Sequence, residues 1–459
     1  MAMDWINSKY SLTMATKEKS EQDGQAKGQE VLAWRQKIEQ EYTYCMISTL
    51  NQMVNYLPML LFDFKLPKMY VTLKDSVLNT TFDRNLKKNC QNIGGNDTGN
   101  RFAMPKEDII IADVNDVSSI QATLSQKCKE KKVLWNITGG QRPFVMAVFE
   151  LLKALERKDD LIIYMEGNSG KPTFLEVEGD KLKKVEPDTH GFERYKIGHD
   201  QWLTIPIALQ LMGFNDGEKG AVDYTCWLNS EKDDETKPYL SLRDKVIKEE
   251  NLRKKLLALN KKRKDLPPGF CAKEVLANLE EARQCFNELS EEELELLRNH
   301  KSQNYPFGHL LEKLFAQAIF EVVKGHIADM GVNIRMRYDD EKADEEAGKK
   351  QIDELDIAIL TKTGQFAVFE VKSGDMESDV AKSTKYTTYS IAGVYGKPIL
   401  LSPLLRSQLI NLDTLNDEAL YKQSASAARA ARRAQLPIIA LDGAGDEDFK
   451  AAIKKLLHL

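Results

Sequence analysis

Asp356, Glu370 and Lys372 bring two carboxylates and an ammonium into one short stretch, Ile352 to Gly374, which reads IDELDIAILTKTGQFAVFEVKSG. Two carboxylates offer hard oxygen ligands to Mg²⁺ or Mn²⁺, ions that keep water in their remaining positions. Such an ion lowers the pKa of a bound water and offsets charge on a phosphate undergoing attack. A lysine beside it orients that water or holds a phosphate oxygen as a compact point charge. The chemistry suggested is metal-dependent phosphodiester cleavage.

These residues need strands to position them. Side chains alternate faces along a strand, so Glu370 and Lys372 share one. Ile352 to Leu360 and Phe366 to Val371 are β-branched and aliphatic runs, and Thr361-Lys362-Thr363-Gly364-Gln365 between them carries a turn glycine, so a hairpin is predicted. A five-residue loop pairs Leu360 with Phe366 and sets Asp356 opposite Glu370. A four-residue loop sets Asp356 opposite Phe369, on the wrong face. The chemistry requires the longer loop or a bulge. Acid and lysine at i and i+2 also occur on solvated strands, but Ala367, Val368, Phe369 and Val371 mark this strand as buried, where unpaired charge is costly. Glu354 is an alternate ligand on this strand. A further acid, Glu312, sits on a predicted helix from Gly308 through Val323 with apolar residues at helical spacing; a solvated helix position is its competing reading.

The 459 residues suffice for two or three domains, and 42% hydrophobic content is ordinary for a globular chain. The longest apolar run, Tyr56 to Phe64, is far short of a membrane span and is interrupted by Pro58 and Asp63, and the N-terminus lacks a signal-peptide pattern. Six cysteines (Cys45, Cys90, Cys128, Cys226, Cys271 and Cys285) without CxxC spacing predict reduced thiols in a cytoplasmic protein. The dispersed histidines suggest no metal site. A net charge of −5 excludes a globally basic nucleic-acid binder. Two local basic patches, Arg243 to Lys264 and Ser424 to Gln435 with Arg429, Arg432 and Arg433, read as helices with solvated basic faces or phosphate contacts. The acidic run Asp339 to Glu346 reads as a solvated loop.

Along the chain, residues 1 to about 41 read as a flexible leader followed by a short helix. Strands are predicted at 44–50, 68–73, 108–113 and 132–137, alternating with helices at 51–64, 82–91, 116–130 and 143–156; strand-like segments at 161–166, 173–177 and 181–185 suggest an antiparallel edge. This alternation predicts a parallel, doubly wound sheet, whose ligands bind outside the strand C-termini. The loops there are Ser48-Thr49-Leu50-Asn51-Gln52, Asp113-Val114-Asn115-Asp116 and Asn136-Ile137-Thr138-Gly139-Gly140-Gln141-Arg142-Pro143. In the last, two glycines admit a ligand to backbone amides at a helix N-terminus and Arg142 adds a fork, the other reading being a tight strand-to-helix turn. Neither GxGxxG nor GxxxxGK[ST] is present, which argues against a nicotinamide or flavin cofactor and against ATP hydrolysis. Residues 191–304 read as a mostly helical connector, or an insertion on the C-terminal domain.

Residues 305–459 resemble a PD-(D/E)xK nuclease domain of the restriction-endonuclease-like fold, on the pattern Glu312, Asp356 and Glu370-Val371-Lys372, although Leu355-Asp356 replaces the family's Pro-Asp pair. That resemblance adds the backbone carbonyl of Val371 to the metal ligands. It also draws attention to Lys385, Tyr386 and Tyr389, on a helix where related enzymes often place a substrate-contacting residue. Residues 42–190 resemble the CARF domain, the Rossmann-like sensor of cyclic oligoadenylates, on Ser48 to Gln52 and Asn136 to Gly140. In this order the two halves are similar to the CRISPR ancillary nucleases. The resemblance implies an α/β homodimer switched on by a cyclic oligoadenylate, most simply the tetra-adenylate. On that reading Ser48, Thr49, Asn51, Gln52, Asp113, Asn115, Asn136, Thr138, Gly139, Gly140, Gln141 and Arg142 hold the ligand, and Asp356, Glu370, Lys372 and Glu312 cut DNA or RNA with Mg²⁺ or Mn²⁺. The rival expectations are a ligand-independent restriction or repair nuclease and a nucleotide-responsive regulatory module with an inactive nuclease fold.

Overall fold

Short runs of aliphatic residues alternate with amphipathic stretches through the first half of the chain, and in the computed structural model they build one twisted sheet. Described are residues 29–74, 78–94, 101–129, 131–154, 157–165, 172–179, 181–185, 202–215, 225–226, 233–338, 353–374, 378–415, 419–444 and 446–459. The expected leader up to residue 28, the acidic run 339–346 and the segment 186–201 lie outside them. The chain divides into two compact units, Met1–Trp202 and Leu203–Leu459.

In the first unit, helix α1 (residues 29–41) precedes β1 (Tyr42–Ile47), α2 (Met53–Leu61), β2 (Met69–Leu73) and a π-helical turn, Leu78–Asp83, that runs into α3 (Arg84–Gly94). Then follow β3 (Ile109–Ile111), α4 (Val117–Cys128), β4 (Lys132–Asn136), α5 (Arg142–Ala154), β5 (Leu161–Met165), β6 (Pro172–Glu178) and β7 (Lys181–Lys184). The sheet order is β3-β2-β1-β4-β5-β6-β7. The first five strands pair in parallel and β6 and β7 close the edge antiparallel, as the alternation predicts. Every residue of β1 and β2 is buried, as strands covered on both faces require, whereas all four residues of β7 are exposed. α4 starts where the Asp116 carboxylate accepts from the Ser119 N–H, and α5 carries Pro143 in its first turn, where a missing N–H costs nothing. α5 lays Phe144, Ala147, Val148, Leu151 and Leu152 on the sheet at helical spacing. Each of the larger ones contributes roughly 1.5–3 kcal/mol by leaving water.

The second unit contains α6 (Ile205–Leu211), β8 (Phe214–Asn215), β9 (Thr225–Cys226), α7 (Asp233–Lys248), α8 (Glu250–Ala258), α9 (Leu279–Cys285), α10 (Glu291–Arg298), α11 (Pro306–Val323), β10 (Ile327–Tyr338), β11 (Asp353–Thr361) and β12 (Phe366–Val371). It continues with α12 (Ser378–Ala392), β13 (Lys397–Ser402), α13 (Arg406–Ile410), α14 (Ala419–Arg433), β14 (Ile438–Ala440) and α15 (Glu447–Leu457). Its sheet runs β14-β13-β12-β11-β10-β8, with β9 also on β10. The molecule is thus α/β throughout, with two mixed sheets.

The helices between 233 and 298 share one core with that sheet. Leu242, Leu252, Leu256, Phe286 and Leu297 pack in the same cluster as Phe307, Phe315, Ile357 and Phe369. Much of the basic patch around residue 250 is spent here: Lys255 pairs with Glu288, and the buried Arg253 donates to the Val246 and Ile247 carbonyls. Cys271 and Cys285, 14 residues apart in sequence, are brought side by side with their Cα atoms 6.2 Å apart, a proximity that no motif spacing announces.

Candidate functional site

The β11–β12 hairpin has the register of the five-residue loop. Leu360 pairs with Phe366 and Ile357 with Phe369, so the next step sets Asp356 across from Glu370. Paired ladder positions end at Ile357 and Phe369. Beyond them the Asp356 carboxylate, rather than a backbone carbonyl, accepts from the Val371 N–H at 2.7 Å. The strands part where the acids sit. β12 is held on its other side by β13, through Val371 beside Leu401 and the Lys372 N–H to the Leu401 carbonyl.

In this opening Lys372 Nζ pairs with Glu370 Oε1. Burial pushes the Asp356 carboxyl well above the ordinary carboxylate range, and the charges of Glu370 and Glu312 push it the same way, against the pull of Lys372 and the Val371 N–H. Burial disfavours the Lys372 ammonium, but Glu370 and Asp356 outweigh it and raise its pKa. Glu312, in the second turn of α11, is buried, with its Oε2 3.4 Å from His309 Nδ1. His309 was not anticipated. Its i,i+3 spacing to Glu312 on one helix face is the signal that could have found it. Gly308 on α11 comes close to the strand end as well: a Cβ there would meet Ser373 Oγ at 3.2 Å, and Ser373 Oγ accepts from Asn260 Nδ2. The four residues Glu312, Asp356, Glu370 and Lys372 therefore act on one another electrically. The set holds three acids against one lysine.

The alternate acid Glu354 lines, with Glu370, a pocket of about 60 Å³ bordered by Ser383, Thr384 and Thr387 of α12. Of the tyrosines flagged on α12, Tyr386 is 70% and Tyr389 40% exposed. Lys385 instead donates to the Ala434 carbonyl at the end of α14.

In the first unit the reversal of strand order falls between β1 and β4. The loops after those two strands touch: a Cβ on Gly139 would lie 2.7 Å from Thr49 Cβ, and one on Gly140 would lie 2.5 Å from Ile47 Cγ2. Gly140 also has φ +87°, so the close approach and the turn both require glycine there. Thr138 fixes its loop by accepting the Met165 N–H, and Arg142 and Gln141 are exposed at the start of α5. Asp113 and Asn115 are not brought to this place. They follow β3, with β2 between it and β1, roughly 10 Å away at ordinary strand spacing, and the Asp113 carboxylate is used by the Asn115 N–H.

Three other anticipated ligand residues face inward. Ser48, Gln52 and Asn136 are each no more than 1% exposed. Their polar groups meet Asp83, Tyr70, Asn55 and Tyr44, so they build the loops from beneath. Asp83, which sequence reading passed over, is the centre of that set.

No family model matches the chain, and no curated protein sequence does. Solved structures do. A Vibrio cholerae protein, VC1899, is 15% identical with a TM-score of 0.53, the match covering 91% of this chain and 98% of that one. Can2 from Sulfobacillus thermosulfidooxidans, solved in complex with cyclic tetra-adenylate, is 12% identical with a TM-score of 0.51, covering 91% of this chain and 100% of that one. Over nine-tenths of its length the chain has the fold of these two proteins.

Proposed function

We propose that this protein is a metal-dependent endonuclease switched on by a cyclic oligoadenylate, the tetra-adenylate being the best fit, in CRISPR-linked defence. The observation that carries the reading is the parted end of the β11–β12 hairpin, where Asp356, Glu370 and Lys372 converge beside Glu312. Support for the switch comes from the paired glycine loop at the first unit's strand-order reversal and from the fold shared with a protein solved with cyclic tetra-adenylate.

In donor chemistry the acids suit a hard divalent ion, being all-oxygen donors with an excess of negative charge over Lys372, although among the described residues no three acidic, histidine or cysteine side chains stand together closely enough to hold one. Asp356, Glu370 and Glu312 would hold Mg²⁺ or Mn²⁺, with the Val371 carbonyl as the resemblance implies. When bound, the ion supplies an activated water and offsets charge at the scissile phosphate. Lys372, held by Glu370, stays charged and steers an attacking water or a phosphate oxygen. On the sensor side, Thr49, Asn51, Thr138, Gly139, Gly140, Gln141 and Arg142 offer hydroxyl, amide, backbone and guanidinium contacts to phosphate and base edges. A tetra-adenylate ring has two-fold symmetry, so a homodimer presenting these loops twice is the matching assembly. The ligand then shifts the nuclease by its unequal affinity for two arrangements.

The test is cleavage of labelled plasmid, single-stranded DNA and RNA with Mg²⁺ or Mn²⁺ across cyclic tri-, tetra- and hexa-adenylate. Cutting is expected only with metal and one ring size. Equal cutting without ligand sinks the switch, and no cutting under any condition sinks the nuclease.

A further inference from the structure

A buried carboxylate with four uncharged donors stands beneath the loops of the first unit. Asp83 is fully buried. Its Oδ1 accepts from Ser48 Oγ at 2.7 Å, Tyr70 OH at 2.6 Å and Gln52 Nε2 at 3.1 Å, and its Oδ2 from Thr72 Oγ1 at 2.5 Å. Ser48 and Gln52 bracket the loop after β1, while Tyr70 and Thr72 lie on β2.

The chain of bonds continues. Gln52 Nε2 also reaches the Thr49 carbonyl at 2.9 Å, fixing the residue that packs on Gly139. Gln52 Oε1 accepts from Asn55 Nδ2 at 3.1 Å, Asn55 Oδ1 from Asn136 Nδ2 at 3.1 Å, and Asn136 Oδ1 from the Thr138 N–H at 3.1 Å. One unbroken buried network therefore spans both loops. An ionised carboxylate only accepts, so all four donors must point at Asp83, and this fixes which way the Gln52 amide faces and, through it, Asn55 and Asn136.

We propose that Asp83 is a positioning residue which sets the distance between the loops 48–52 and 136–140 and so the affinity for the cyclic oligoadenylate, a role that rests on the ligand reading above. Asp83 also ends the π-helical turn that enters α3, which ties the loops to that helix. An amide in its place either leaves the Thr72 hydroxyl proton without its acceptor or, flipped, sets an NH2 against the Ser48, Tyr70 and Gln52 donors. The network loses at least one bond either way, and the anchor of Gln52 is weakened.

The test uses the full chain and titration calorimetry with cyclic tetra-adenylate. Asp83→Asn is expected to weaken binding about 30-fold, the effect of one misdirected buried polar group, and Tyr70→Phe, which leaves three donors and the fold in place, about 5-fold. The ligand concentration for half-maximal cleavage should rise in parallel, while cleavage at saturating ligand stays within about twofold of wild type, since transition-state contacts are untouched. Wild type that binds while Tyr70→Phe and any folded Asp83→Asn bind equally well overturns the positioning role alone. So does a fall in cleavage at saturation with affinity unchanged, which marks a merely structural residue. Wild type that binds no cyclic tri-, tetra- or hexa-adenylate overturns the ligand reading and this role with it.

Discussion

Asp83 in the first unit is fully buried and Asp356 in the second partly so, and their surroundings are opposite. Asp83 is met by four neutral donors and no acid. Asp356 has one backbone N–H, and its nearest charged neighbours include two further carboxylates. Full hydrogen bonding is what a structural carboxylate needs to be worth burying. Crowded acids on strands that have parted hold an arrangement the fold alone would not favour, and such tension gathers where a ligand or cation completes the site. The first aspartate is tied into a scaffold of neutral donors and the second into a cluster of like charges.

The widest test of that contrast is catalytic. Glu370→Ala or Lys372→Ala is expected to lower cleavage on the order of 10³-fold at saturating ligand, with ligand affinity from calorimetry unchanged. A variant still within tenfold of wild type in initial rate means the chemistry sits elsewhere.

Stability should separate the two aspartates by sign. Asp83→Ala strands four donors and should cost the first unit about 3 kcal/mol or more. Asp356→Asn relieves repulsion among Asp356, Glu370 and Glu312 and should leave the second unit as stable as before or more so, while abolishing cleavage. Of the five tryptophans, Trp5, Trp34, Trp135 and Trp202 fall in the first unit and Trp227 in the second, so in a Trp227→Phe background tryptophan fluorescence in urea follows the first unit and far-ultraviolet dichroism follows the whole chain. Destabilisation by both variants erases the distinction.

How much of this was legible differs by region for a physical reason. Strand order aside, the first unit's elements follow from alternating apolar runs and the hairpin from two such runs about a turn glycine, because these signals are local. The hairpin's register stood open between a four- and a five-residue loop until the chemistry of Asp356 and Glu370 chose the longer one. Asp83 was hidden because its partners lie 11 to 35 residues away and its segment, Leu78–Asp83, is ordinary polar sequence. Ser48, Gln52 and Asn136 have the residue types of ligand contacts, but sequence carries type and not direction, and their side chains turn inward. The proximity of Cys271 and Cys285 was equally non-local.

The contrast extends to pH. His300, in the second unit, is 9% exposed, and burial, with His309 and Lys313 adding, pushes its pKa from 6.5 down to about 4. The unfolded chain takes up this proton at higher pH than the folded one. Stability from this group is therefore complete above pH 6.5 and is lost as pH falls toward about 4, a total of about 3 kcal/mol. His300→Phe should flatten that part of the profile in urea unfolding followed at pH 7, 6, 5 and roughly 4. An unchanged slope assigns the acid sensitivity to other groups.

The smallest effect isolates the loop contact from its scaffold. Gly140 and Gly179 both have positive φ, +87° and +62°, but only Gly140 has a neighbour in the way. Alanine at either position meets the left-handed penalty of about 1–2 kcal/mol. At Gly179 the added methyl finds nothing within 4 Å, so the penalty is all that results and ligand affinity should hold. At Gly140 the methyl must displace Ile47, at the end of β1, and with it the start of the loop 48–52. Gly140→Ala should therefore lose about tenfold in affinity for cyclic tetra-adenylate beyond a shared loss of stability. Equal affinity in the two variants would mean that the ligand does not read the spacing between these loops. The network centred on Asp83 would then serve the fold alone.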